Sequence, residues 1–164
     1  RGHRILAEWE ERGILGAIVT QNVDGLHQRA GSKRVVELHG SLRTVRCARC
    51  GKGFPGMELL EKTVCPACGG PLRPDVVLFG EDLPAAAFEE AEKLASTCGL
   101  LLVLGSSLTV SPANSLPGIA RACGGKVAII NREPTPFDGK ADIVARGEIG
   151  PVLASVEALL QGRA

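Results

Sequence analysis

LLLVLGSS, residues 100–107, sets five aliphatic residues in a row and then breaks to a glycine and two hydroxyls. A continuous apolar run of this length, bounded by Gly99 and Gly105, reads as a strand covered on both faces, as in a parallel sheet. On its N-terminal side, LPAAAFEEAEKLASTCG (83–99) reads as a helix with Glu89, Glu90 and Glu92 outward and Ala and Leu inward. On its C-terminal side come a helix with a proline start, PANSLPGIARACGG (112–125), and a further buried strand, KVAIIN (126–131). DIVAR (142–146) adds another strand, and IGPVLASVEALLQG (149–162) closes with a helix. Toward the front, HRILAEWEER (3–12) places Ile5, Leu6 and Trp9 on one helical face. AIVT (17–20), RVVELHG (34–40) and DVVLFG (75–80) read as strands, with a loop and short helix over VDGLHQRAG (23–31). Strands alternate with helices, so the expected fold is α/β with a doubly wound parallel sheet.

Composition supports that reading. Hydrophobic residues make up 45% of 164, whereas aromatics reach only 3%, so the core has to be built from Val, Leu, Ile and Ala. A net charge of +1 argues against binding nucleic acid through bulk charge, and no direct nucleic-acid partner is expected. No apolar run is long enough to span a bilayer, so no membrane role is expected. No signal peptide is readable. Arg1 leads straight into an amphipathic helix pattern, and the chain reads as cut from a longer one.

Polar residues and glycines cluster where the predicted strands end. AIVT runs into Gln21, Asn22 and Asp24, VVEL into His39, VVLF into Gly80 and Glu81, LLLVL into Gly105, Ser106 and Ser107, and VAII into Asn131 and Arg132. The C-terminal edge of a parallel sheet is where ligands collect. Helix capping explains any one of these strand ends, but amides, a histidine and a Gly-Ser-Ser turn share no single capping role. Gly105-Ser106-Ser107, lying after a strand and before a helix, suits a phosphate or pyrophosphate, and Asn131 suits a ribose hydroxyl. His39 is the candidate general base, because imidazole titrates near neutral pH. A lone histidine is more often structural, and His3 and His27, in helical segments, are read that way.

Two Cys-x-x-Cys pairs, Cys47/Cys50 and Cys65/Cys68, lie 14 residues apart, each followed by a glycine. Two matched knuckles fit four thiolates around one zinc ion better than they fit a redox pair. With all four positions filled by sulfur the zinc is structural, folding a predicted insert over 44–72. Cys98 and Cys123 are left as single packing thiols. This cysteine usage belongs to a reducing compartment, and a cytoplasmic location is expected.

Together, TQNVDGLHQRAG (20–31), ELHG (37–40), the paired cysteines, RPDVVLFGEDLP (73–84), GSSLTVSPANSLP (105–117) and INRE (130–133) resemble the sirtuin family, in family order. The resemblance implies a Rossmann-like large domain over 1–43 and 73–164 with the zinc-bearing insert between. It implies an NAD-dependent protein-lysine deacylase that releases nicotinamide and O-acyl-ADP-ribose, with acylated lysine in proteins or peptides as the partner. His39 is then the base on a ribose hydroxyl and Asn22 positions a water. Gln21, Asn22 and Asp24 line the ribose and nicotinamide pocket. Gly105, Ser106 and Ser107 hold the phosphate and ribose region, and Asn131 and Arg132 the adenosine end. Ile149, in a loop before the last helix, meets adenine through its backbone. The peptide is expected to pair with Val77–Glu81, Gly80 included, and with the neighbourhood of Ser111, while Val77, Phe79 and Val110 wall the acyl-lysine tunnel. Sirtuins begin with a Gly-Ala-Gly-x-Ser strand that does not occur here, so the isolated chain is expected to be inactive. The competing readings are an inactive fragment or a zinc-ribbon binding module, the latter resting on Arg43, Arg46, Arg49 and Lys52 with Phe54 as the ribbon's one ring.

Overall fold

The computed structural model describes residues 1–56, 62–78 and 80–162. Its parallel strands form two ladders. In the first, β1 (Ile18–Thr20) pairs with β2 (Val35–Glu37), with Thr20 opposite Glu37. The second has the order β6-β7-β8, formed by Leu100–Leu104, Lys126–Asn131 and Ile143–Arg146. A third sheet is antiparallel, ordered β4-β3-β5 from Gly53–Pro55, Gly40–Cys47 and Leu72–Val76. The small sheet therefore begins at Gly40 and ends at Val76, beyond the 44–72 span that the cysteine spacing suggested. Ligand spacing marks where a metal would sit, not where the strands carrying it start.

DVVLFG is not a strand of the parallel sheet. Among its described residues only Asp75 and Val76 are strand, at the end of β5, where they pair antiparallel with Ser41 and Gly40. The apolar run is four residues long, too short for periodicity to reveal its direction. Pro74 within β5 and the exposed Leu78 mark a half-covered strand rather than a central one. The run that opens the sequence reading is also less covered than expected. Leu100 of β6 is 58% exposed, while Val127 and Ile129 of β7 are fully buried. Hydrogen bonding explains the contrast: among the described residues β7 has strands on both sides, and β6 has only β7.

Helices cover both faces. α1 (Gly2–Glu11) and α5 (Ile149–Leu160) bring Ile5, Leu6, Trp9 and Leu153 into one cluster with Ile18 and Ile130. α3 (Ala85–Thr97) and α4 (Leu116–Ala122) bring Ala91, Ala95 and Leu116 onto Leu38 on the other face. The small residues of α3 let the helices approach closely. α1 and α5 also share a polar lock. Glu157, buried in α5, accepts from the Trp9 indole N–H at 2.5 Å and from Arg12 at 2.6 Å. The indole hydrogen bond first, then Gln161 and Arg12, holds this carboxyl below its ordinary value against the opposing effect of burial. Ile149 opens α5 and does not lie in a loop before it. Cys123 is exposed and does not pack as expected, because it caps the short α4 where the chain turns through two glycines; Cys98 is half-buried. No helix among the described residues is long and apolar enough to cross a membrane.

Leu153 is fully buried where α1, α5 and the ends of β1 and β7 meet. Leu153→Ala is expected to lower unfolding free energy by about 2–5 kcal/mol in urea titration, with an unchanged m-value.

Candidate active site

His39 sits one residue past Leu38, whose side chain is 1% exposed and whose N–H donates to the Thr20 carbonyl at 2.9 Å. This extends the β1–β2 pairing and delivers the imidazole to the residue that leaves β1. His39 Nδ1 lies 2.9 Å from the Gln21 carbonyl oxygen. A carbonyl only accepts, so Nδ1 carries the proton and the neutral ring keeps its lone pair on Nε2. The next residue is Asn22, whose N–H donates to Thr20 Oγ1 at 3.1 Å, while Asp24 Oδ1 accepts from Leu26 N–H at 2.9 Å. Of the residues predicted around His39, the hydrogen bonds join Gln21 to it directly, while Asn22 and Asp24 follow in the same loop.

Gly40 follows with φ of 72°, and a Cβ there would lie 2.1 Å from the Asp75 carbonyl oxygen. Only glycine allows β5 this close to His39. Beyond Asp75, the Val77 N–H donates to the His39 carbonyl at 3.0 Å. The following turn is clamped by Arg73, which donates to Glu81 at 2.6 and 2.9 Å and to the Val76 carbonyl at 3.0 Å. Glu81 also accepts from Leu78 N–H at 3.0 Å. Its carboxylate is therefore engaged, and its own N–H donates to the Leu78 carbonyl at 3.0 Å. Sequence reasoning missed Arg73, since the antiparallel direction of β5 was not readable. Val77 is half-buried and Val110 exposed, Gly80 has φ of 87°, and Phe79 lies outside the described residues.

A second grouping surrounds a pocket of about 250 Å³ lined by Gly105, Asn131, Arg132 and Ile149, together with Glu133, Gly147 and Glu148. Gly105 has φ of 59°, and a Cβ there would meet Ile149 Cδ1 at 2.8 Å. The Asn131 amide donates to the Glu133 carbonyl at 2.8 Å and Arg132 to Glu148 at 2.8 Å. Gly147 and Glu148 went unnoticed because their only signal was one glycine. Ser106 and Ser107 behave differently from expectation. Ser106 Oγ accepts from Leu108 N–H at 3.2 Å, Ser107 Oγ pairs with Thr109 at 2.7 Å, and helical structure begins only at Ala113. Left-handed Leu108, φ 54°, turns the chain before any helix forms, so these hydroxyls do not stand at a helix N-terminus.

The four paired cysteines do converge. Their sulfurs all lie within 4.8 Å of one another, with Cys47–Cys68 at 3.5 Å and Cys50–Cys65 at 3.8 Å. A zinc tetrahedron with bonds of about 2.3 Å has sulfurs about 3.8 Å apart, so the donor set fits. N–H groups of Cys50 and Arg49 point at Cys47 Sγ and hold that thiol well below its ordinary value, Cys50 contributing most. The ribbon's cations have intramolecular partners: Arg46 meets Asp75 at 3.2 Å, Arg49 the Cys68 carbonyl at 3.1 Å, Arg43 Glu37 at 2.7 Å, and Lys52 lies 5.9 Å from the Phe54 ring centre.

Residues 1–112 match the Sir2 family. The chain belongs to the Sir2 family. It is 58% identical over 153 residues to NAD-dependent protein deacetylase 1 of Geobacillus kaustophilus, covering 93% of this chain and 63% of that protein. The chain thus spans less than two thirds of that relative. It superposes with a TM-score of 0.93 and 41% identity on a structure solved for the basis of sirtuin substrate affinity, covering 99% of this chain and 72% of the other. A Sir2 complex with p53 peptide and NAD+ superposes at 0.91 with 41% identity, covering 99% and 70%. This Sir2-family chain therefore has the α/β fold expected of it.

Arg73 brings the Glu81 carboxyl from an ordinary 4.5 down to about 2, its hydrogen bond being the largest cause and the Leu78 N–H the next. A folded-state value below the unfolded one stabilises fully above the unfolded value and is lost as pH falls from 4.5 toward 2. Melting temperatures across that interval are expected to fall less steeply for Glu81→Gln than for wild type.

Proposed function

We propose that this chain carries the reaction centre of an NAD-dependent protein-lysine deacylase. The observation that supports it most is the hydrogen bond from His39 Nδ1 to the Gln21 carbonyl, which leaves a basic nitrogen at the strand edge beside Asn22. The names of the relatives and the peptide and NAD+ in a superposed complex point the same way.

NAD supplies the acyl acceptor, a ribose whose C1′ becomes electrophilic as nicotinamide departs. His39 Nε2 takes the proton of a ribose hydroxyl, while Gln21 holds the ring's tautomer and direction. Asn22, whose side chain has no hydrogen bond among the described residues, orients a water. Gln21 and Asp24 line the ribose and nicotinamide end. Gly105, Asn131, Arg132 and Ile149 surround the adenosine end, where the glycine leaves room for close backbone approach; Ser106 and Ser107 act through the shape of their turn. The acylated peptide adds a strand beside Val77 and Glu81, with Gly80 at the turn, Val77 and Val110 lining the acyl-lysine channel, and backbone bonds supplying affinity. Four thiolates, Cys47, Cys50, Cys65 and Cys68, hold one zinc ion that fixes the small sheet and has no open position for chemistry.

Two measurements test this reading. In the protein carrying this chain, His39→Ala is expected to lower NAD- and acyl-peptide-dependent nicotinamide release by about 10²–10⁴-fold, with NAD affinity by calorimetry changed little; release at the wild-type rate would remove His39 from the chemistry. Metal analysis is expected to find one zinc per chain, lost in Cys65→Ala together with amide protection over 40–76. Full zinc occupancy in that variant would refute the ligand set.

A further inference from the structure

The β3–β5 ladder contains a break. Ser41 pairs with Asp75 and Val45 with Pro74, so Leu42, Arg43 and Thr44 are looped out of it. Bulges of this kind re-aim a strand and recur beside functional sites. Here the looped residues are tied on both sides. Thr44 keeps its pairing with Pro55 of β4, and Gly56 N–H donates to the Arg43 carbonyl at 2.6 Å. In the other direction, Leu42 N–H donates to the Val23 carbonyl at 2.9 Å. The bulge therefore bridges the cysteine-bearing sheet and the loop between Asn22 and Asp24.

The side chain of Arg43 makes the same bridge. Its Nη2 donates to Glu37 Oε2 at 2.7 Å and its Nε to Ser41 Oγ at 3.2 Å. Its stem lies on Gly25, where a Cβ would come within 2.7 Å of Arg43 Cδ. Gly25 is buried, adopts φ of 68° and directly follows Asp24. Glu37 precedes His39 by two residues, and its side chain is only 15% exposed. One guanidinium thus grips the strand that leads to the base, while its stem covers the turn that carries Asn22 and Asp24.

We propose that Arg43 is a positioning residue, which fixes the Asn22–Asp24 turn relative to His39 through the Leu42–Thr44 bulge. It touches no reacting atom. Its effect is on the geometry of groups that do, so the inference rests on the functional reading given above.

Arg43→Ala and Arg43→Lys separate positioning from folding, with Arg121→Ala as control, since Arg121 makes a comparable ion pair to Asp142 at 3.1 Å away from these loops. Hydrogen exchange is read over residues 20–26 and over 149–160, alongside nicotinamide release. Arg43→Ala is expected to speed exchange over 20–26 by about tenfold, leaving 149–160 unchanged. It is expected to lower kcat by about 10- to 100-fold with peptide KM within about twofold. Arg43→Lys keeps the Glu37 pair and restores most of both, and Arg121→Ala alters neither. Unchanged protection over 20–26 in Arg43→Ala overturns the inference, as does faster exchange spread evenly over the chain without rescue by lysine. If the wild-type protein carrying this chain releases no nicotinamide, the functional reading fails, and the exchange pattern alone decides whether Arg43 is the strut.

Discussion

Three residue pairs, Ile18 with Val35, Val19 with Val36 and Thr20 with Glu37, set the geometry on which the site depends. Because the pairing is parallel, both strands release their following residues at one edge, and Leu38 N–H to Thr20 O adds the bond that carries the match past the strand end. A slip by one residue would turn Leu38 out of the core and swing His39 inward. The near-complete burial of Leu38 opposes that slip, so a core side chain and a functional one fix each other's direction.

Gly40 is where the two architectures meet. Parallel β2 ends just before it, antiparallel β3 starts on it, and the Asp75 carbonyl lies where any side chain would stand. This contact carries β5 against the backbone of His39 and passes it on through Val77. Folding of the cysteine-bearing sheet is thereby coupled to the placement of His39. A site made of loops gains rigidity when its neighbours are anchored outside it, and the four converging cysteine sulfurs lie within the span of the sheet that Gly40 opens.

Residue order carried much of this information. The helical stripe Ile5, Leu6, Trp9 and the aliphatic strand β7 were legible because burial of one face leaves a period in the sequence. The convergence of the cysteine knuckles was legible because thiolate chemistry restricts which residues serve. DVVLFG was misread because direction is a property of pairing, and four apolar residues look alike in either sense. The coverage of β6 was misread because an apolar run records what a strand can bury, while exposure depends on its neighbours. Arg73 and Glu148 were invisible because each is paired with a partner brought near only by the fold.

The polar groups at the strand ends divide into two kinds. Ser106, Ser107, Asn131, Arg132 and Glu81 are each committed to a bond within the protein. His39 spends one nitrogen on Gln21 and keeps the other, and the side chain of Asn22 makes no hydrogen bond among the described residues. A committed group holds shape at small cost when a ligand arrives, since its dipole is already oriented. A group with spare valence stays free to bind. Were both kinds unbonded, ligand binding would have to order all of them at once, at a cost of about 0.5–1.5 kcal/mol for each flexible side chain. Leaving spare hydrogen-bonding capacity on His39 and Asn22 confines that cost to one edge of the β1–β2 pair.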